Sequence, residues 1–242
     1  MLVHAVRLVN NVHFCNMITR PTLDFLAELK ANNNREWFDA SRPRYQQAAA
    51  DFFDTVARFI QVLASYDPDI AKVMPDPKSC IMRIYRDVRF SKDKTPYKTG
   101  LFAYVSAGGR KGPLAGYYLH LEPGASFAGG GLYMPEAPVL ARTRAAIDSR
   151  FDEWSAIVTT PDLLATFPDG VLPSGATKRA PKGFDESNPA IRYLRFKGYC
   201  TQRFFSDAEV LSRDFTDRLG ECCRAVMPMV AFLNDAINSD MF

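Results

Sequence analysis

Apolar residues recur at helical spacing in two long stretches, one in each half of the chain. Tyr45, Ala49, Phe52, Val56, Phe59 and Leu63 form one stripe, and Phe215, Leu219, Cys222, Val226, Met229 and Leu233 form another. Steps of three and four residues place such a set along one side of a helix, so each stretch predicts a long amphipathic helix. Ser41 stands where an N-cap belongs, with Pro43 in the first turn. Pro228 predicts a kink or break in the second helix, because proline lacks an N–H and its ring collides with the preceding turn. Shorter helices are predicted over 22–31, 136–149 and 150–159, with a turn or two at 188–195.

Between these helices the pattern changes to short alternating or apolar runs punctuated by Gly and Pro: 80–87, 101–106, 116–122, 125–133 and 196–205. G-G-R-K-G-P at 108–113 and E-P-G at 122–124 are too short for a crossover helix, so successive strands should pair antiparallel. The expected class is α+β: a central, mainly antiparallel sheet of about five or six strands with the long N- and C-terminal helices packed on one face. Residues 168–189 form a long Pro/Gly/Ser-rich loop.

The segment 83–97, R-I-Y-R-D-V-R-F-S-K-D-K-T-P-Y, carries the densest chemistry. Read as a strand, it puts Met82, Ile84, Val88 and Phe90 on one face and Arg83, Tyr85, Asp87 and Arg89 on the other. Arg86 then falls on the apolar face, where a guanidinium has to find a carboxylate, so it reads as a structural ion pair. The same alternation groups Tyr118, His120 and Glu122 apart from Tyr117, Leu119 and Leu121. If the two polar faces coincide, Arg83 and Arg89, joined by Lys92, Lys94 and Tyr97 from the following loop, make an anion site. Asp87, His120 and Glu122 are then the candidates for moving a proton. Arginine suits bidentate contact with carboxylate or phosphate, and lysine adds a point charge. Residues 83–98 hold six basic side chains against two acidic ones, a density that a purely structural strand does not need. A solvated polar face or an ion-pair lattice gives the same alternation, with Glu122 neutralising Arg83 or Arg86, and both readings stand.

Composition narrows the classes. The chain has 242 residues, 47% of them hydrophobic, which is enough for one sizeable core. A formal charge of +3 is too small a global field to argue for nucleic acid, so any cationic site is local. Five cysteines without a C-x-x-C pattern fit a reducing cytoplasm. Polar residues interrupt every candidate leader segment in the first twenty positions, and no apolar run approaches the roughly 18 residues of a membrane span. A soluble protein with no membrane partner is expected.

Other motifs are weaker. Gly129–Gly131 leave a strand end bare, which serves either a bulge and close packing or backbone approach to a ligand. Packing is favoured, because the run lacks the Lys-Ser/Thr of a phosphate loop and the spacing of a dinucleotide fingerprint. Ser126 lies in G-A-S-F-A, yet no histidine follows it to complete a hydrolase triad. His4 and His13 sit in the N-terminal stretch, so no histidine-based metal site is expected and no cofactor follows from the residues. Cys222 reads as a buried structural thiol.

The string Arg83, Arg86-Asp87, Arg89-Phe90, Lys94, Tyr97 resembles the signature of the DUF2461 family, a largely bacterial group named without an assigned activity. F-L-A-E-L-K-A-N-N-N-R-E-W-F at 25–38, G-Y-Y-L-H-L-E-P-G-A-S-F-A-G-G-G-L-Y at 116–133, K-R-A-P-K-G-F at 178–184 and F-F-S-D at 204–207 are similar to that family too. The resemblance implies a single domain over 21–242, with residues 1–20 as an N-terminal extension, and implies no catalytic role. Asn32–Glu36 and the basic Lys178, Arg179 and Lys182 are candidates for the rim of the same site; alternatively N-N-N only ends a helix, with Trp37 and Phe38 as core.

Three functions fit. The first is a protein that binds a phosphorylated or carboxylated small molecule, with or without proton transfer. The second is a non-catalytic module for a nucleotide, nucleic acid or acidic partner, with Tyr85, Phe90, Tyr97, Tyr104 and Tyr118 as stacking surfaces. In the third the Arg/Asp cluster is purely structural. The oligomeric state is left open.

Overall fold

The computed structural model describes residues 18–239, so His4, His13, Cys15 and nearly all of the stretch read as an extension lie outside the described residues. Ile18, at the end of that stretch, is already buried in the core. Five helices come first: α1 (Arg20–Ala31), α2 (Arg35–Ala40), α3 (Arg42–Ala64), α4 (Pro68–Val73) and α5 (Pro77–Cys80). Three strands follow, β1 (Leu101–Val105), β2 (Gly116–Leu121) and β3 (Ser126–Leu132), then α6 (Ala137–Ser149), α7 (Phe151–Val158) and α8 (Pro161–Thr166). The chain ends with β4 (Leu172–Pro173), α9 (Ile191–Leu194), β5 (Tyr199–Cys200), β6 (Arg203–Phe205), α10 (Asp207–Val210) and α11 (Phe215–Asn238). This is the α+β arrangement that the periodicity predicts. Among the described residues no helix is long and apolar enough to cross a membrane.

The two long helices form where the stripes lie. Phe52, Val56, Phe59 and Leu63 of α3 are buried, as are all six stripe positions of α11. These helices pack on each other and on one face of the sheet, α11 against β3 and α3 against β1. The break expected at Pro228 is absent. Pro228 lies inside α11 with both it and Arg224, the residue one turn earlier, exposed, so the carbonyl that loses its partner is left to water rather than to the core.

All strand pairs are antiparallel, in the order β1-β2-β3-β5-β4, with β6 also paired to β3. Alternation sorts the residues cleanly. Leu101, Ala103, Val105, Tyr117, Leu119, Leu121 and Ala128 are buried beneath the helices, while Phe102, Tyr104, Tyr118, His120 and Phe127 stand half-buried on the other face. The expected strand at 196–205 is divided into β5 and β6, and β4 arises inside the loop predicted at 168–189.

The strand predicted at 80–87 does not form. Residues 81–98 fold back on themselves as an irregular hairpin with one bridge between Tyr85 and Tyr97. Arg86 N–H donates to the Pro96 carbonyl at 2.9 Å and Lys98 N–H to the Ile84 carbonyl at 2.8 Å. Only Ile84 and Tyr97 are buried within 81–98, and Phe90, assigned to an apolar face by alternation, is 95% exposed. A segment with so many charges has too few apolar side chains to bury a continuous ladder. At its root, Ile81 bridges Ala103 and Met82 N–H donates to the Phe102 carbonyl at 2.8 Å, clipping the hairpin to the free edge of β1.

Candidate functional site

Within the hairpin the charges answer each other locally. Arg86 donates to the Asp93 carboxylate and to the Thr95 hydroxyl, with a further bond to the Thr95 carbonyl at 3.2 Å. Its partner therefore comes from its own loop, and the pair is partly exposed rather than buried against another element. Arg89 donates to Asp87 through Nε at 3.0 Å and Nη2 at 2.7 Å. These bonds from Arg89 hold Asp87 down at about 2, so it stays an occupied carboxylate rather than a free base. Asp93 is likewise lowered to about 2, chiefly by the Thr95 backbone N–H and then by Arg86. Lys94 donates to the Val88 carbonyl at 2.9 Å, and Lys92 is exposed.

Tyr97 is an anchor. Its ring stacks on Phe38 with centroids 4.0 Å apart. Its backbone N–H and carbonyl are both paired with the Asn33 amide, at 3.1 and 2.9 Å. Two such bonds contribute about 1 kcal/mol each, and they fix the far end of the hairpin to the α1–α2 junction. Asn34 caps α2 by accepting from Trp37 N–H, and Phe38 is fully buried. The N-N-N run thus ends one helix, starts the next and holds the hairpin between them.

The open face of the sheet carries a row of rings. Register aligns Phe102, His120, Phe127 and Phe204 across β1, β2, β3 and β6, with successive centroids 4.4, 4.6 and 5.5 Å apart. His120 Nε2 donates to Glu122 at 3.1 Å, and Glu122 also accepts from Lys30 at 3.1 Å and Thr99 at 3.0 Å. Burial lowers the His120 pKa and outweighs the attraction of Glu122, which keeps the ring neutral. Burial by itself would raise Glu122, but its bonds to His120, Lys30 and Thr99 together leave it lowered. Gly129 and Gly131 lie beside this row, and a Cβ at either would stand 1.9 Å from the carbonyl oxygen of Thr201 or Tyr199. The bare positions let the β5–β6 backbone, paired alongside β3, approach it closely.

Three cations meet at the β1 end of this face. Lys98 Nζ lies 5.6 Å over the Phe102 ring and donates to the Arg83 carbonyl at 2.9 Å. Its pKa is lowered, first by burial and then by the repulsion of Arg83 and Arg110. Arg110, from the β1–β2 loop, donates only to the Ser79 carbonyl, at 3.2 Å. Among the described residues none of the three is in salt-bridge contact with a carboxylate, although Arg83 lies near enough to Asp87 to help lower it.

The model of a family described as "Conserved hypothetical protein (DUF2461)" matches residues 21–232. The chain belongs to the DUF2461 family. A search of the curated proteins and of the solved structures found no match. In this DUF2461 protein the hairpin holds Arg83, Arg86, Asp87, Arg89, Lys92, Lys94 and Tyr97 together, while His120 and Glu122 pair on the sheet. Among the described residues no hydrogen bond or ion pair joins Asp87 to His120 or Glu122. Lys178, Arg179 and Lys182 follow β4, at the sheet edge opposite β1, away from the hairpin. Arg110 was not foreseen as a partner of Arg83; its only signal is its place in the short β1–β2 loop, and the gathering with Lys98 depends on how the hairpin folds back. Among the described residues no group of three His, Cys, Asp or Glu is placed to hold a metal.

Proposed function

We propose that this protein binds a phosphorylated or carboxylated small molecule at the β1 end of the open sheet face, with Arg83, Lys98 and Arg110 as the anion seat. The observation that carries this reading is Lys98 seated over the Phe102 ring and bonded to the Arg83 carbonyl, with the Arg83 and Arg110 charges near it and no salt bridge to any of the three. An anion would relieve their repulsion and gain charge-assisted hydrogen bonds. Support for binding rather than catalysis comes from the state of the proton-transfer candidates. Asp87 is held by Arg89, and the His120–Glu122 pair is closed on Lys30 and Thr99. The hairpin pairs Arg86 and Arg89 internally, so their role in this reading is to shape the loop that presents Arg83. Four described cysteines are free thiols, which supports a reducing, cytoplasmic setting.

A single-stranded nucleic acid is the second reading, supported by the ring row, in which Phe204 at one end is 61% exposed. Isothermal titration with inorganic phosphate, ribose 5-phosphate and a short single-stranded oligonucleotide tests both. The small anions should bind wild type and lose at least about tenfold in affinity in the Arg83→Ala/Lys98→Ala variant, the effect of removing charged hydrogen-bond donors. Equal binding by wild type and variant sinks the anion seat. Binding of the oligonucleotide alone would favour the second reading.

A further inference from the structure

A cavity of about 490 Å³ opens beside the cation cluster, between the β1–β2 loop and the turn that joins β3 to α6. Its walls are Met82, Tyr104, Leu132, Tyr133 and Met134, and its charged lining residues are Arg110, Lys111 and Glu136. We propose that this cavity takes the heteroaromatic ring of a phosphate ester of mononucleotide type, whose phosphate is held by Arg110 together with Lys98 and Arg83. The inference rests on the anion seat proposed above and names the rest of the ligand.

Three features carry it. Arg110 lines the cavity, and Met82 in its wall precedes Arg83 and donates its N–H at 2.8 Å to the carbonyl of Phe102, whose ring carries Lys98 at 5.6 Å. A ligand whose negative end sits on the cluster is thus directed with its body into the cavity, and the volume is in the range of small-molecule sites. Secondly, the walls offer flat and polarisable surface. Tyr104 Oη donates to the Leu114 carbonyl at 2.9 Å, which locks that ring in place, and the Tyr133 ring stands 71% exposed at the rim. Met134 is held in a left-handed backbone conformation, φ 43°, with its N–H donating to Ser174 Oγ at 3.1 Å. A non-glycine residue there is strained, and the bond to Ser174 is a contact that holds the turn forming this wall against that strain. Thirdly, Glu136 is the one carboxylate of the lining. It opposes a second anionic group in the cavity and accepts from an N–H or O–H donor, which a base's amino group or a ribose hydroxyl supplies. A ligand negative at one end and a hydrogen-bond donor at the other satisfies both, and the stacking walls favour a base in that place.

Titration of wild type with AMP, GMP, ribose 5-phosphate and inorganic phosphate tests the proposal. At least one nucleotide should bind about tenfold or more tightly than ribose 5-phosphate, the gain that a single stacked base contributes. Tyr133→Ala, at an exposed position that leaves the fold intact, should remove most of that gain and leave ribose 5-phosphate binding unchanged. Arg110→Ala should weaken all four ligands. Nucleotides that bind no better than ribose 5-phosphate, or a nucleotide gain untouched by Tyr133→Ala, would overturn the cavity assignment while the anion seat stands. If none of the four binds, both proposals fall.

Discussion

His120 sits between Phe102 and Phe127 with its Nε2 on Glu122, and this placement sets a pH dependence. Burial lowers its pKa from the ordinary 6.5, so below that value the unfolded chain takes up a proton that the folded chain refuses. Stability is therefore full above about pH 6.5 and declines as the pH falls below it. Glu122, also lowered, adds its loss only below its ordinary 4.5. Urea midpoints measured at intervals from about pH 7.5 to about pH 5 should fall on the acid side for wild type, and His120→Gln should flatten that limb. A variant profile parallel to wild type would show that His120 is not the titrating group. The His120–Glu122 pairing was legible because alternation sets residues i and i+2 on one strand face. The Asn33–Tyr97 bonds were not, since they join positions 64 apart in sequence and no local pattern encodes that meeting.

At the scale of elements, amphipathic period was a sound guide wherever one face alone is buried. The stripes of α3 and α11 and the alternation of β1 and β2 were readable for that reason. The hairpin at 81–98 defeated it because its apolar residues alternate like those of a strand while its charges have to stay wet. Partners inside the loop, such as Asp93 for Arg86, were the cheaper solution. β3 makes a different demand: it admits the close approach of its neighbours β5 and β6 because glycines line that side. Gly129→Ala places a methyl 1.9 Å from the Thr201 carbonyl oxygen, a clash with backbone that cannot rotate away. Chemical denaturation should show a loss of about 1–3 kcal/mol or more. A change within about 0.5 kcal/mol, the range of neutral surface substitutions, would mean that the β5–β6 backbone does not approach β3 there as closely as described.

For the whole molecule, the long helices cover one face of the sheet, and the other carries half-buried rings with cations toward its β1 edge. β4 and β1 are the sheet's terminal strands, and their outward backbone groups would be free to recruit a second chain. At β1 the hairpin root prevents this, since Ile81 and Met82 occupy positions that another copy's strand would take. Met82→Pro deletes the N–H that holds the Phe102 carbonyl and should yield concentration-dependent self-association, read by light scattering during size-exclusion chromatography. A strictly monomer-sized variant would refute it. The charged hairpin thus also acts as a guard against strand sharing between molecules. Its lysines and arginines repel the approach of an identical edge, so the same hairpin that blocks β1 through Ile81 and Met82 adds a charge barrier over residues 83–98.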